Sequence, residues 1–383
     1  EELGLKYYGP INGHDYNEML MYLDMAKKEK HSVLLHVITE KGKGYEYALN
    51  DKVGTWHGVG KFDKETGKIV KSNNDLISWS EVISNILIKL TKKDKNIFVI
   101  TPAMAGGSKL LKYANMFPNN FIDVGICEEH AMTLSSGLAL GGKIPIVLIY
   151  STFLQRAYDE IIHDIARMDL HVVIGVDRCG IVGEDGESHQ GIYDLSFLSA
   201  IPNIIIACPK NSVEASHMLY TAVYHNKHPF IIRYSKNSIK YIEVNHDKVI
   251  DIGSWEYVNQ GCDGTIISYG DFLENAISIN EMLNKKDINL NIINARFIKP
   301  VDMVMIEELI KTNKPIFIYE EVVTRGSLGE ELIRVINNYD YKGKIYLYNI
   351  PDNYITHGKK EEIIKYLKLD VDSVYKDILV KYK

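Results

Sequence analysis

Long apolar runs and any excess of basic residues are missing from this 383-residue sequence. No stretch of about 18 apolar residues occurs, so we expect no membrane-spanning helix. The formal net charge of −6 offers no overall positive footprint for nucleic acid. Cysteine is scarce, and its positions (Cys127, Cys179, Cys208 and Cys262) lack the spacing of a disulfide framework or a zinc site. Reduced, unpaired thiols favour a cytoplasmic protein.

The first five residues, Glu-Glu-Leu-Gly-Leu, contain neither an initiator methionine nor a signal sequence. Further on, Asp15 and Glu18 predict a helix cap, and residues 32–39 predict a buried strand. One helix and one strand cannot enclose a core. We therefore expect residues 1–70 to be the C-terminal tail of a larger α/β domain that begins before this chain.

Short apolar strands alternate with helical patterns in two further blocks, residues 75–240 and 250–383. This alternation is typical of parallel sheets covered by helices on both faces. The predicted fold class is α/β, with two doubly wound, mostly parallel sheets after the tail of a third domain. One continuous helix is predicted at 152–168, and the charged segment 235–252 is a predicted linker. Strands are predicted at 97–101, 121–126, 144–150, 172–176, 204–207, 230–233, 265–269, 289–293, 315–319 and 344–349.

Polar side chains follow three of these strands, at the edge where open α/β sheets bind their ligands. An ordinary structural role explains each of them equally well. An acid at a helix N-terminus complements the helix dipole, an arginine forms surface ion pairs, and aspartate and glycine form turns. Spacing alone does not distinguish this structural role from a role in ligand binding. The side chains concerned are Glu128, Glu129, Tyr150, Arg156, Asp177, Arg178, Asp185 and His189, with the apolar Phe153 beside them.

Seven longer strings are more specific than any single residue. They are GPINGHD (9–15), KGKGYE (41–46), ITPAM (100–104), EEHAMTLSSGLALGG (128–142), IYSTFLQRAYDEIIHD (149–164), DRCGIVGEDGESHQGIYDLSFL (177–198) and RFIKPVD (296–302). Together they resemble the C-terminal part of the 1-deoxy-D-xylulose-5-phosphate synthases, thiamine-diphosphate enzymes related to transketolase. The last string is less specific, because transketolases share it in looser form.

The resemblance implies a pyrimidine-binding domain at 75–240, a transketolase C-terminal domain at 250–383, and the tail of a diphosphate-binding domain at 1–70. It also implies a transferase that condenses pyruvate with D-glyceraldehyde 3-phosphate, giving 1-deoxy-D-xylulose 5-phosphate and CO₂ for isoprenoid and thiamine synthesis. Transketolase proper and the β subunit of a 2-oxo acid dehydrogenase are the enzymic alternatives. A non-catalytic regulatory relative is the alternative of another class.

Residue roles are implied in the same way. The family's strand-end glutamate lies two residues before a histidine and binds N1′ of the aminopyrimidine ring, which selects Glu128 over Glu129. Imidazole titrates near neutral pH, so histidines suit proton transfer. The implied catalytic residues are Glu128, His57 and His189. The implied cofactor-binding residues are Tyr45, Glu128 and Phe153, and the implied substrate-binding residues are Tyr150, Arg156, Asp185 and Lys236.

The last of these positions departs from the family pattern. Where the family usually has a second arginine just past Arg-Tyr-Pro, this chain has Arg233-Tyr234-Ser235-Lys236. Lysine keeps the positive charge but loses the fork with which arginine binds a phosphate through two hydrogen bonds. We expect this change to affect the affinity for the acceptor and not the reaction class.

The implied cofactors are thiamine diphosphate and Mg²⁺, which the family binds through an acidic Gly-Asp-Gly…Asn segment. The nearest string, at 183–186, lacks a suitably spaced asparagine, so no metal ligand is predicted in this chain. We expect the metal ligands in an N-terminal diphosphate-binding segment of the same protein, which would complete the site. The family further implies a homodimer that acts on small molecules, without nucleic-acid or membrane partners.

Overall fold

The structure is a computed structural model, and it describes residues 2–51, 55–57, 59–70, 76–244 and 246–382. The side chain of His57 lies outside the described part. The chain divides into two compact units, residues 1–73 and 74–383, and each is described by itself.

The first unit is built on a parallel pair of strands joined through a helix. Its elements are β1 (Lys6–Asn12), α1 (Tyr16–Lys28), β2 (Val33–Ile38), the short α2 (Glu46–Leu49) and a 3₁₀ turn (Thr55–His57). The helix cap is confirmed, because the Asp15 carboxylate accepts the backbone N–H groups of Asn17 and Glu18.

The prediction that the strand at 32–39 is buried was wrong. Along β2, half-buried residues alternate with exposed ones, and Leu34 and Ile38 are 48% and 54% exposed. Among the described residues of this unit, Ile11 alone is fully buried. A two-stranded sheet with one helix has too little apolar surface to enclose a core, so the continuous apolar run that predicted burial is covered on one side only.

The second unit contains a seven-stranded sheet in the order β14-β8-β9-β7-β6-β4-β5. Its strands are parallel except β14, which pairs antiparallel with β8. The elements up to residue 240 are β3 (Leu76–Ser78), α3 (Trp79–Lys93), β4 (Ile97–Thr101), α4 (Leu111–Met116), β5 (Phe121–Asp123), α5 (Glu128–Leu140), β6 (Ile144–Tyr150), α6 (Ser151–Leu154), α7 (Tyr158–Glu160), β7 (Val173–Cys179), α8 (Asp194–Leu198), β8 (Ile205–Ala207), α9 (Ser212–Tyr224), β9 (Phe230–Ser235) and β10 (Ser238–Lys240).

A five-stranded sheet follows in the same unit, in the order β11-β13-β12-β15-β16, with β11 antiparallel to the rest. The elements from residue 256 are β11 (Glu256–Asn259), β12 (Thr265–Ser268), α10 (Phe272–Asn284), β13 (Asn291–Asn294), β14 (Phe297–Lys299), α11 (Met303–Lys311), β15 (Ile316–Val323), α12 (Leu328–Ile336), β16 (Ile345–Ile350), α13 (Lys360–Tyr366) and α14 (Val371–Tyr382). The predicted α/β class with two mostly parallel sheets is confirmed.

The continuous helix predicted at 152–168 was wrong. After α6 the chain makes a 3₁₀ turn (Gln155–Ala157), then the short α7, and then a π-helical stretch (Ile161–Ala166). The apolar spacing correctly indicated a buried face, since Ile161 and Ile165 are both buried. Changes of helical pitch are not encoded in that spacing and often occur at functional sites.

The seven-stranded and five-stranded sheets of the second unit share an apolar core. A continuous buried cluster extends from α3 and the seven-stranded sheet into β12, β15 and α12. Strand β14 adds to this continuity, because it comes from the chain beyond residue 250 yet pairs with β8. At this junction Arg233 and Asp194 form a buried bidentate ion pair with N···O distances of 2.6 and 2.9 Å. The carboxyl ends of β5, β6 and β7 carry the candidate site.

Candidate active site

Two adjacent carboxylates begin helix α5, and the structure gives them different surroundings. Glu128 is 2% exposed, whereas Glu129 is exposed to solvent. Arg156 places its Nη1 atom 2.7 Å from Glu128 Oε1, and about half of the arginine side chain remains accessible. A buried carboxylate is costly unless it is paired. The arginine and the helix N-terminus together offset that cost.

Three rings lie beside this pair. Tyr150 and Phe153 stack with their centroids 6.0 Å apart, and His189 meets Phe153 edge-on at 5.5 Å. The Arg156 guanidinium carbon lies 5.0 Å from the centre of the Phe153 ring. A flat ligand ring beside Phe153 would therefore find an aromatic surface, with a carboxylate and an imidazole at its edges.

A second charge cluster surrounds Asp185. Arg178 Nη1 lies 2.7 Å from Asp185 Oδ2, and Lys236 Nζ lies 2.6 Å from Asp185 Oδ1. The Arg178 guanidinium also lies 4.0 Å above the centre of the Tyr150 ring. The Arg178 guanidinium and the Lys236 ammonium both carry hydrogen-bond donors that suit a phosphate group.

Arg178 is a candidate site residue to which the sequence analysis assigned no role. It follows the buried Asp177 in the string DRCG, and it stands in the left-handed region with φ of 61°. A non-glycine residue at positive φ is uncommon and often marks a functional position. The signal for it in the sequence was its place at the carboxyl end of β7. The family resemblance of the string that contains it gave it no role.

Asp177 and Tyr150 lie opposite each other in the β6–β7 register. Asp177 is fully buried, and its Oδ2 atom accepts hydrogen bonds from the hydroxyls of Ser80 (2.8 Å) and Ser108 (3.2 Å). Burial raises the pKa of the Asp177 carboxyl to about 6. Burial likewise raises the pKa of the Tyr150 phenol to about 12, against the opposing effect of Arg178. The Tyr150 hydroxyl is therefore protonated at neutral pH.

The remaining predicted residues belong to the unit of residues 1–73. Tyr45 precedes α2, packs against Trp56 and Phe62 at 4.9 and 5.8 Å, and donates its hydroxyl to the carbonyl of Lys64 at 2.9 Å. His57 ends the 3₁₀ turn Thr55–His57, and its side chain lies outside the described residues. Among Glu128, Tyr150, Phe153, Arg156, Asp185, His189 and Lys236, the structure forms two neighbouring clusters joined through Tyr150.

Among the described residues, no three or more His, Cys, Asp and Glu side chains form a group that could hold a metal ion. In the same part of the chain, no helix is long and apolar enough to cross a membrane.

The chain matches three family descriptions. Residues 75–240 match "Transketolase, pyrimidine binding domain", residues 253–374 match "Transketolase, C-terminal domain", and residues 1–39 match "1-deoxy-D-xylulose-5-phosphate synthase".

Curated relatives with the name 1-deoxy-D-xylulose-5-phosphate synthase match almost the whole chain. That of Listeria monocytogenes is 46% identical over 367 residues, covering 95% of this chain and 60% of its own length. That of a Geobacillus species is 44% identical over 371 residues, covering 96% and 59%. That of Bacillus cereus is 42% identical over 376 residues, covering 98% and 60%. The chain thus spans about 60% of the length of these relatives.

Solved structures share the fold. A split-gene transketolase described as an inactive β4 tetramer superposes with a TM-score of 0.70 at 23% identity, covering 78% of this chain and 96% of its own. A transketolase of Pichia stipitis in complex with sedoheptulose 7-phosphate gives a TM-score of 0.66 at 16% identity, covering 81% and 46%. At these identities the likeness concerns the fold alone.

Proposed function

Because the chain belongs to the family of the 1-deoxy-D-xylulose-5-phosphate synthases, we propose that it forms the larger part of such an enzyme. The proposed reaction is the decarboxylative condensation of pyruvate with D-glyceraldehyde 3-phosphate to 1-deoxy-D-xylulose 5-phosphate and CO₂. The observation that supports it best is the junction of the two clusters at Tyr150. A buried carboxylate beside an aromatic surface adjoins a pair of cations suited to a phosphorylated substrate.

The donor set fits the aminopyrimidine side of thiamine diphosphate. Glu128 offers a buried carboxylate for a ring nitrogen, and Phe153 offers a half-buried ring for stacking. When bound, the cofactor supplies the carbon nucleophile for decarboxylation and condensation. We propose that Glu128 holds the proton at N1′ of the pyrimidine, and that Arg156, at 2.7 Å, holds this carboxylate in position. Tyr45 is the proposed cofactor contact from residues 1–73.

The metal and diphosphate are a different matter. Mg²⁺ takes oxygen ligands in octahedral geometry and keeps several waters. No group among the described residues is suited to hold it. Since this chain spans about 60% of the length of its curated relatives, we propose that Mg²⁺ and the diphosphate are bound by an N-terminal diphosphate-binding segment of the same protein.

The second cluster is proposed to bind the acceptor. Arg178 and Lys236 supply the donors for its phosphate, and Tyr150 supplies a neutral hydroxyl. Arg156 remains a proposed substrate contact, because about half of its side chain is accessible. Asp185 holds the two cations in one place and can accept a hydrogen bond from a substrate hydroxyl. His189, with His57, is proposed to transfer protons to and from substrate oxygens.

Assembly and location are part of the proposal. We propose a homodimer in the cytoplasm, acting on small molecules and independent of nucleic acid and membranes. Two exposed apolar side chains support a contact between copies: Ile126, two residues before α5, and Leu140, the last residue of α5, are 76% and 62% exposed.

The test is CO₂ release from pyruvate, with thiamine diphosphate and Mg²⁺ present. This chain would be assayed together with the N-terminal segment, with and without D-glyceraldehyde 3-phosphate. Release that depends on the acceptor and yields 1-deoxy-D-xylulose 5-phosphate supports the proposal. Ketol transfer between sugar phosphates without CO₂ would instead establish a transketolase. No turnover with both halves present would indicate a non-catalytic relative.

A further inference from the structure

The loop that carries Asp185 and His189 is anchored from outside the site. Backbone hydrogen bonds between Gly180 and Gly191 close its base, and we refer to residues 180–192 as the Asp185 loop. Across from it lies Glu321, on β15 of the five-stranded sheet. Glu321 Oε1 accepts the backbone N–H of Ile181 at 3.0 Å.

The approach of this carboxylate to the loop is close. A Cβ atom added at Gly180, where φ is 80°, would lie 2.6 Å from the Glu321 carboxyl carbon. The loop also meets the segment before α13, since Gln190 donates its side-chain amide to the carbonyl of Ile355 at 3.4 Å. The five-stranded part of the unit therefore supports the Asp185 loop from behind.

Lys360, the first residue of α13, lies between Glu321, which anchors the Asp185 loop, and a second anchor, Asp271. Its ammonium lies 2.7 Å from Glu321 Oε1 and 3.8 Å from Asp271 Oδ2. Asp271 in turn accepts hydrogen bonds from Asn237 Nδ2 at 2.6 Å and from Trp79 Nε1 at 3.3 Å. Each carboxylate thus reaches from the five-stranded part to the part that holds the site.

The second anchor, Asp271, holds the segment next to Lys236, which belongs to the charge cluster around Asp185. Asn237 directly follows Lys236, whose ammonium pairs with Asp185 at 2.6 Å. Glu321 therefore fixes the segment that carries Asp185, and Asp271 fixes the segment that carries its cationic partner. One lysine lies between the two carboxylates.

We propose that Lys360, with Glu321 and Asp271, is a positioning centre that sets the placement of Asp185 against Lys236. None of the three residues belongs to the candidate site, and the assignment rests on the proposed function for its effect on the acceptor. Burial favours the neutral form of the Lys360 amine, but the nearby Glu321 and Asp271 raise its pKa above the ordinary value. The lysine is therefore charged at neutral pH. Removing that charge leaves two half-buried carboxylates without their shared cation.

Lys360→Met is the test variant, and Lys299→Met is its matched control. Lys299, on β14, also connects the two parts of the unit, because its ammonium donates to the carbonyls of Ser199 and Ile201. It does not touch the Asp185 loop or Asn237 in these contacts. Glu321→Gln is the second test variant: its amide oxygen still accepts the Ile181 N–H, but it no longer pairs with the Lys360 charge.

Two measurements would be made on the complete enzyme, with this chain and the N-terminal segment together. Hydrogen exchange of peptides covering 180–192 and 235–238 should become about tenfold faster in Lys360→Met. The reason is that Glu321 and Asp271 lose the cation that holds them in place, which weakens the hydrogen bonds they accept from Ile181 and Asn237. The KM for the acceptor should rise about tenfold while the KM for pyruvate stays within about twofold. Glu321→Gln should also accelerate the exchange and raise the acceptor KM. Lys299→Met should change neither the exchange nor the acceptor KM.

Several results would overturn the assignment. Unchanged exchange in a folded Lys360→Met enzyme would do so, as would an equal rise in acceptor KM in Lys299→Met. If Lys360→Met does not fold, Glu321→Gln decides by the same criteria. If the wild-type enzyme turns over no substrate, the proposed function fails by itself. Exchange then decides the positioning role: acceleration confined to the two segments supports it, and no acceleration refutes it.

Discussion

The two glutamates at the start of α5 have the same side chain but point in different directions. Neighbouring residues of a helix point about 100° apart, so only one of them can face the edge of the sheet. That residue is Glu128, with Arg156 at 2.7 Å, and Glu129 points to solvent. Their contributions to turnover should therefore differ sharply.

Glu128→Gln should lower CO₂ release by about 10²–10⁴-fold, the usual contribution of a positioned acid–base group. Glu129→Gln should stay within several-fold of the wild type. Steady-state release at saturating cofactor measures both. Melting curves control for folding, because the amide leaves Arg156 without its partner. Equal losses in the two variants would show that the assignment of Glu128 is wrong.

Asp177 should make stability depend on pH. Its ordinary pKa of 3.8 rises to about 6 in the folded state because the carboxyl is buried. The folded state therefore holds the proton more tightly, and this contribution is fully present below pH 3.8 and lost as the pH rises through about 6. The loss amounts to about 3 kcal/mol, from roughly 1.4 kcal/mol per pKa unit.

The variant Asp177→Asn removes this titration. Its free energy of unfolding, relative to the wild type, should increase between about pH 4 and pH 7. Urea unfolding at a series of pH values measures the difference. If the two curves run parallel across that range, the carboxyl does not titrate as expected.

Among the elements, the turn after β4 determines where Tyr150 lies. The Met104 sulfur accepts the backbone N–H of Tyr150 at 3.2 Å. At Gly107 an added Cβ would lie 1.6 Å from the Tyr150 hydroxyl oxygen. Glycine is required there by the close approach of a side chain from another element.

Gly107→Ala should therefore displace Tyr150, and with it the Arg178 guanidinium stacked on its ring. We expect the KM for the acceptor to rise at least about tenfold, because a small misplacement in a site has large effects. Gly137→Ala is the control, since nothing lies within 4 Å of an added Cβ in that position of α5. It should stabilise the protein by roughly 0.5–1 kcal/mol. An unchanged acceptor KM in Gly107→Ala would contradict the role of the turn.

For the whole molecule, the proposed division of the site between this chain and an N-terminal segment has a thermodynamic consequence. A ligand at 100 times its Kd adds about 2.7 kcal/mol to the free energy of unfolding. Thiamine diphosphate with Mg²⁺ should produce such a shift when the N-terminal segment is present. This chain alone should give a much smaller one, because it offers Glu128 and Phe153 but no described metal-binding group. Thermal unfolding of both samples measures this, and equal shifts would contradict it.

Much of the architecture could be predicted from local sequence. Each of the ten strands predicted after residue 75 exists, because apolar runs bounded by turn residues form buried strands in this fold class. Two short strands illustrate what local pattern does not reveal. β14 joins the sheet of the preceding block, and β11 pairs antiparallel at an edge. Partner choice depends on distant segments, which periodicity does not record.

The candidate site divides in the same way. Resemblance of sequence strings indicated Glu128, Phe153 and Asp185, and their roles stay predictions. Contacts between residues far apart in the chain could not be predicted. Examples are the pairing of Arg156 with Glu128, 28 positions away, and that of Lys236 with Asp185, 51 positions away.

The sequence by itself determined most element types, the α/β class and the family resemblance of this protein, because these depend on residue order over short windows. The tertiary structure alone decided which carboxylate is buried, that Arg178 belongs to the site, and that Lys360 links two anchors across the two sheets. The physical reason is that burial and charge pairing are properties of the folded environment. A side chain acquires them only when distant segments pack against it.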